Sequence, residues 1–266
     1  MPGAIRGDAR HLRHPPVARL QSPITFLFSP MKITFRCDPA LIDLLPRPIP
    51  ARMALPDWLR AMAPRAPSAV HGREIRTVKQ CPPFVDAMRH GFMLLLPCDV
   101  TVAPGMKFGW DWPLPELTVQ GHPHAPLSFH VPEQIAGSPL AHGDRSAIKF
   151  NSFWTIALEP GWSLLAMHPV NRDDLPFRTV TGLVDADRFN EVGINFPAVW
   201  LDEQFSGVLP KGTPIAQCCA VPREAPELAF EPMPAERIAG YDALAEKIMA
   251  GPGVYRKSYR DKQGRS

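Results

Sequence analysis

The sequence predicts a mainly β fold: a single β-sandwich or jelly-roll-like barrel of about ten strands with two or three peripheral helices. Three observations predict it. The 266 residues hold 33 prolines against 18 glycines, and proline removes a backbone donor and clashes with the preceding turn, so helices are interrupted. Apolar residues recur mostly in short runs of strand length, separated by Pro-Gly, Lys-Gly and Asn-Arg-Asp-Asp turns. With 45% hydrophobic and 21% charged residues, the chain is long and apolar enough to bury a sizeable core.

The elements follow in order. Residues 1–30 carry Arg6, Arg10, Arg13 and Arg19 but no apolar run of the secretory kind. Met31-Lys32-Ile33-Thr34-Phe35 reads as a start running straight into a strand. Residues 1–30 are therefore expected to be a disordered leader upstream of the native start, 31–234 the β domain, and 235–266 a C-terminal helix with a basic tail. After a strand at 32–36, Pro39, Pro46, Pro48 and Pro50 give a loop-rich stretch, and 56–62 reads as a short helix. Residues 81–91 read as a helix with prolines at its start, Phe84, Val85 and Met88 on one side, and Gly91 as its stop. A strand at 92–102 follows directly.

Further strands are expected at 108–112, 127–131, 148–158, 163–168, 180–185, 193–200 and 214–221. Within 148–158, Ile148, Phe150, Ser152, Trp154 and Ile156 fall on one face of a period-two pattern. The last apolar pattern, at 235–249, places Ile238, Leu244, Ile248 and Met249 at helical spacings before Gly251-Pro252-Gly253. Such a helix caps the domain or packs on a neighbour. The tail that follows is basic, and basic ends are expected to be solvated and mobile.

Charge narrows the function. Of the net +3, residues 1–30 contribute +3 and 256–266 contribute +4, which leaves 31–255 at −4. A slightly acidic body offers no basic face, so sequence-specific DNA binding is not expected. The longest apolar run, 92–96, is strand-sized, far short of the roughly 20 residues that span a bilayer, so no membrane association is expected. Five cysteines without Cys-x-x-Cys spacing suggest neither a disulfide framework nor a zinc ribbon, and point to reduced thiols in the cytoplasm.

Three motifs in succession carry the strongest signal: Glu159-Pro160-Gly161-Trp162-Ser163, then Gly182-Leu183-Val184-Asp185-Ala186-Asp187, then Lys211-Gly212-Thr213-Pro214-Ile215-Ala216-Gln217. Over residues 150–224 this succession resembles the β-barrel family of dUTPases and dCTP deaminases. The resemblance implies a barrel and a trimer. It sets Asp185 where those enzymes keep the carboxylate that activates the attacking water, with Asp187 beside it. A like charge so close raises a carboxylate's proton affinity and suits it to general-base work; the plainer job of such residues is to bond local turn amides. His168, Asn171, Arg172, Arg188 and Gln217 would then contact a nucleotide. Arg188 stands where the family has an aromatic residue, His168 to Arg172 replace its Arg-Ser-Gly turn, and its Gly-rich C-terminal arm has no counterpart, so kinship of fold is implied more than kinship of activity.

The whole chain also resembles a family of bacterial and phage-encoded proteins without an assigned activity. Cys81-Pro82-Pro83-Phe84, Pro97-Cys98-Asp99, Phe150-Asn151-Ser152-Phe153-Trp154, Gly182 to Asp187, Asn195-Phe196-Pro197 and Gly212-Thr213-Pro214 carry that resemblance.

His122, His124 and His130, with Glu133 and His142 further on, have metal-ligand chemistry, since a His-x-His on a strand puts both imidazoles on one face. Pro123 and Pro126 favour a polar loop instead. No Walker or Rossmann glycine loop, Gly-x-Ser-x-Gly elbow or His-Glu-x-x-His is present, so the enzyme classes built on those motifs are not expected, and the sequence names no particular cofactor. Cys81, ahead of a helix start, has the placement of a reactive thiolate, but core packing is the commoner fate of a free cysteine. Three functions remain open: a non-catalytic ligand-binding or assembly module whose partner is a small molecule, a nucleotide or a further copy of itself; a nucleotide or nucleoside hydrolase using Asp185; and a metal-dependent enzyme using His122, His124 and His130.

Overall fold

The computed structural model describes residues 31–141 and 147–261; the expected leader and His142 lie outside the described residues. The fold is mainly β. Its strands are β1 (Thr34–Arg36), β2 (Ile49–Pro50), β3 (Arg65–Ser68), β4 (Arg73–Arg76), β5 (Phe92–Leu95) and β6 (Val100–Ala103). These continue as β7 (Lys107–Gly109), β8 (Leu127–Phe129), β9 (Ala147–Phe150), β10 (Thr155–Ala157) and β11 (Trp162–Met167). The last are β12 (Phe177–Thr179), β13 (Gly182–Val184), β14 (Phe196–Trp200), β15 (Gly207–Leu209) and β16 (Pro214–Pro222). Among the described residues three α-helices, α1 (Asp57–Ala61), α2 (Pro82–Arg89) and α3 (Ala235–Ala250), complete the frame.

All ladders are antiparallel. A five-stranded sheet runs β13-β11-β16-β5-β2, and a four-stranded sheet runs β12-β14-β9-β8. A three-stranded sheet, β15-β6-β7, and the pairs β1-β10 and β3-β4 stand beside them. β16 is the spine: it pairs with β11 from Trp162↔Pro222 to Met167↔Gln217, and with β5 on its other edge. Its residues from Ile215 to Cys219 are all buried. Such a continuous run marks a strand covered on both faces.

The four-stranded sheet supplies the aromatic core. Phe150 and Phe177 lie 4.7 Å apart, Phe177 stacks near Trp200 at 6.2 Å, and Phe108 of β7 meets Trp200 edge-on at 5.0 Å, so the three-stranded sheet packs here too. The Thr179 hydroxyl of β12 donates to the Ile215 carbonyl of β16, tying the two larger sheets together.

The structure corrects several expected boundaries. The strand expected at 92–102 is two strands, broken at Pro97, because proline cannot donate to a ladder. The strand expected at 148–158 is also two. Its middle is a corner in which Ser152 Oγ donates to the Trp154 carbonyl and accepts the Trp154 amide, while the Asn151 side chain bonds Ser128 and Ala125. Those side-chain bonds take the place of ladder bonds and turn the chain from β9 toward β10. The C-terminal tail is not free either: residues Tyr255–Tyr259 form a single π-helical turn, and Arg260 grips Asp86 of α2 through two bonds of 2.8 and 2.6 Å.

Candidate functional site

The turn before β11 and the ends of β13 and β16 converge on one polar cluster. Ser163, first inward residue of β11, donates its hydroxyl to Asp185 Oδ1 at 2.7 Å. Arg223, one residue past β16, lies between the two aspartates: its Nε donates to Asp185 at 3.1 Å and its Nη2 to Asp187. The Gly161 amide donates to the other Asp187 oxygen at 3.0 Å, and the Arg223 amide donates back to the Gly161 carbonyl at 2.9 Å. Asn190 closes the hairpin by donating to the Asp187 carbonyl at 3.0 Å.

The two carboxylates differ in solvation. The Asp187 side chain is 5% exposed and that of Asp185 51% exposed. The Gly161 amide, despite the opposing cost of burial, and then the Arg223 guanidinium hold the Asp187 carboxyl below the ordinary carboxylate range. Against the cluster lies an open groove of about 460 Å³, lined by Pro160, Gly161, Trp162, Pro222, Arg223 and Glu224.

The other sequence-derived contact residues lie elsewhere. His168 begins where β11 ends, five residues beyond Ser163, so strand rise alone puts it about 17 Å from the Asp185 end. Its Nδ1 accepts the Thr179 amide at 3.3 Å, which leaves Nε2–H to donate to the Arg172 carbonyl at 3.0 Å. Burial keeps its pKa low and the ring neutral. Arg172 forms a fork onto Asp174, with bonds of 2.8 and 2.9 Å, and Asp174 also accepts the Trp58 indole. Asn171 occupies the left-handed region (φ 58°) of the same turn.

Gln217 joins this second group and is buried. Its amide donates to the carbonyls of Ala87 and His90, at 2.8 and 2.7 Å, and its oxygen accepts the Val170 amide at 2.9 Å. It thereby adds a donor to the carbonyls at the end of α2, of which that of Ala87 also accepts the His90 amide. Arg188 is exposed in the turn after β13, where its amide donates to the Asp185 carbonyl at 2.9 Å and its charge adds to those that lower the Asp187 carboxyl. The structure thus unites Asp185 with Asp187, and His168, Asn171, Arg172 and Gln217 with one another, at opposite ends of β11.

The histidines are separate. His122 Nδ1 lies 3.3 Å from the Pro123 carbonyl with its ring 5.0 Å from that of Phe153, while His130 Nδ1 bonds Gln134 at 2.9 Å. His124 is exposed. Among the described residues no three His, Cys, Asp or Glu side chains converge as metal ligands. All five cysteines are free, and Cys81, expected in the core, is exposed.

Sequence reasoning missed Arg223. It follows the third motif by six residues and carries no spacing signal, so only the fold reveals that it joins the first two motifs.

A scan against protein-family models finds no match for this chain, and a search of curated proteins finds none either. None of the described helices is long and apolar enough to cross a membrane.

Proposed function

We propose that this protein is a non-catalytic assembly module, a β body that presents an apolar arm to a macromolecular partner. One observation carries the reading. α3 is a 16-residue helix with no buried residue, and it exposes Ile238, Tyr241, Ile248 and Met249. The extended strap before it, residues 224–234, exposes Leu228, Phe230 and Met233. A helix left to water draws little stability from propensity alone, so tertiary or quaternary packing is what such a face is for.

The arm is also tethered. It leaves the body after Arg223, whose amide bonds Gly161, and returns at Arg260, held by Asp86. The two larger sheets, with the Thr179–Ile215 bond across them, are consistent with a jelly-roll-like sandwich, and the motif kinship with dUTPases belongs to that body. The free thiols, with Cys98 pushed up to about 11 by burial and so kept protonated, suit a cytoplasmic setting.

A nucleotide hydrolase using Asp185 is the second reading, favoured by that carboxylate's exposure beside Arg223. A photo-crosslinking residue placed at Tyr241 or Met249 in cells, against Arg52 on the body as control, separates the two. Crosslinks to polypeptide from the arm positions only are expected. Silent arm positions, together with deoxynucleotide turnover that Asp185→Asn abolishes, would install the hydrolase instead.

A further inference from the structure

A cleft of about 480 Å³ opens between the start of α2 and the far end of the arm. Val78, Pro82, Ile248 and Tyr255 give it apolar walls, and Arg76 and Arg256 stand in its lining. Neither guanidinium has a hydrogen-bonded or ion-paired partner among the described residues, whereas Arg260 nearby is taken by Asp86. The volume falls within the range of roughly 300 to 1,000 Å³ of sites that bury a ligand, and its chemistry asks for an apolar group flanked by negative charge.

The strap has that composition. Glu224, Glu227 and Glu231 alternate with Leu228, Phe230 and Met233, and Phe230 is 92% exposed. No strap side chain has a hydrogen-bond partner among the described residues. Pro226, Pro232 and Pro234 hold it extended, so little chain entropy remains to be lost on docking. The strap cannot simply fold into the cleft of its own chain, because α3 stands between them: 16 helical residues span about 24 Å.

We propose that the strap of one molecule docks in the Arg76–Arg256 cleft of a second copy of this chain, with Phe230 as the buried anchor. This rests on the assembly reading and names its partner. Strap and cleft are different surfaces, so each contact is heterologous, and reciprocal or ring closure completes the assembly. Glu227 and Glu231 meet the two guanidiniums, which fixes direction and speeds encounter, while the aromatic anchor supplies most of the affinity.

The test uses the full chain in sedimentation velocity, as wild type, as Phe230→Glu, and as the double variant Arg76→Glu/Arg256→Glu. The changed side chains lie at the surface or in the open cleft, and circular dichroism checks that both variants fold. The wild type is expected to sediment as an assembly at tens of micromolar. Each variant alone is expected to run as a single chain, with affinity weakened at least tenfold. Mixed one to one, the Arg76→Glu/Arg256→Glu chain donates an intact strap and the Phe230→Glu chain an intact cleft, so a two-chain species returns. A mixture of folded variants that stays single-chain overturns the contact. A single-chain wild type that still crosslinks through residue 230 to another polypeptide overturns self-association and leaves the assembly reading standing; a single-chain wild type without crosslinks overturns both.

Discussion

His168 has both ring nitrogens engaged inside the β11–β12 corner, one accepting an amide and one donating to a carbonyl. Protonation would put a second donor against the Thr179 amide, in a site where burial already disfavours charge. A group whose folded pKa is depressed binds fewer protons folded than unfolded. Its contribution is complete above the unfolded value of about 6.5 and is lost as pH falls from there through the folded pKa. Thermal midpoints are therefore expected to drop between about pH 7 and about pH 5, and His168→Asn should flatten that limb even if it lowers the whole curve. An unchanged slope would place the titration elsewhere. The chemistry of these positions was only half legible in the sequence. Asp185 and Asp187 sit inside recognisable motifs, but their meaning depends on Arg223, and a guanidinium brought from the end of a distant strand leaves no local trace. His168 and Gln217 have the residue types of a ligand site, yet their polar atoms are spent on backbone groups, a fact that only three-dimensional neighbours decide.

At the scale of elements, Gly91 shows how tightly α2 is seated on β16. It adopts a φ of +72°, and a Cβ there would lie 2.1 Å from the Cys218 carbonyl oxygen and 2.8 Å from the Cys219 sulfur. Gly91→Ala combines backbone strain with a clash against a buried strand, and a loss of about 3 kcal/mol is expected in denaturant unfolding. A loss below about 0.5 kcal/mol, the scale of surface changes, would mean that the helix can lift away. The same glycine explains why α2 was readable: a proline start, an apolar side and a glycine stop are local signals. So was β16, whose residues are apolar except for Gln217. The β3–β4 hairpin was not, because Arg65-Ala66-Pro67-Ser68 and Arg73-Glu74-Ile75-Arg76 bury no face and their pairing is written in the ladder alone. The strands at 92–102 and 148–158 were read too long, since the apolar pattern resumes beyond Pro97 and Ser152 while the ladder hydrogen bonding does not run through them.

Across the whole molecule, the arm is held at two points of unequal strength. Its start continues a nine-residue strand, whereas its return depends on the Arg260–Asp86 fork and the turn before it. Arg260→Ala is expected to raise hydrogen exchange over residues 251–260 while amides of β5, β11 and β16 keep their protection, because such segments open locally. Uniform loss of protection would show that the arm's return stabilises the body itself. The two-point attachment has another side. Among the described residues ladder bonding ends with β16, and the chain meets the body again at the far end of α3, so residues can be added or removed between those points without shifting any strand by one register. Lengthening such a bridge costs little, about 0.6 kcal/mol for each doubling of a flexible loop. Among the described residues, the strap and helix are thus free to drift in length and sequence over evolutionary time, letting the specificity of assembly diverge while the β body stays as it is.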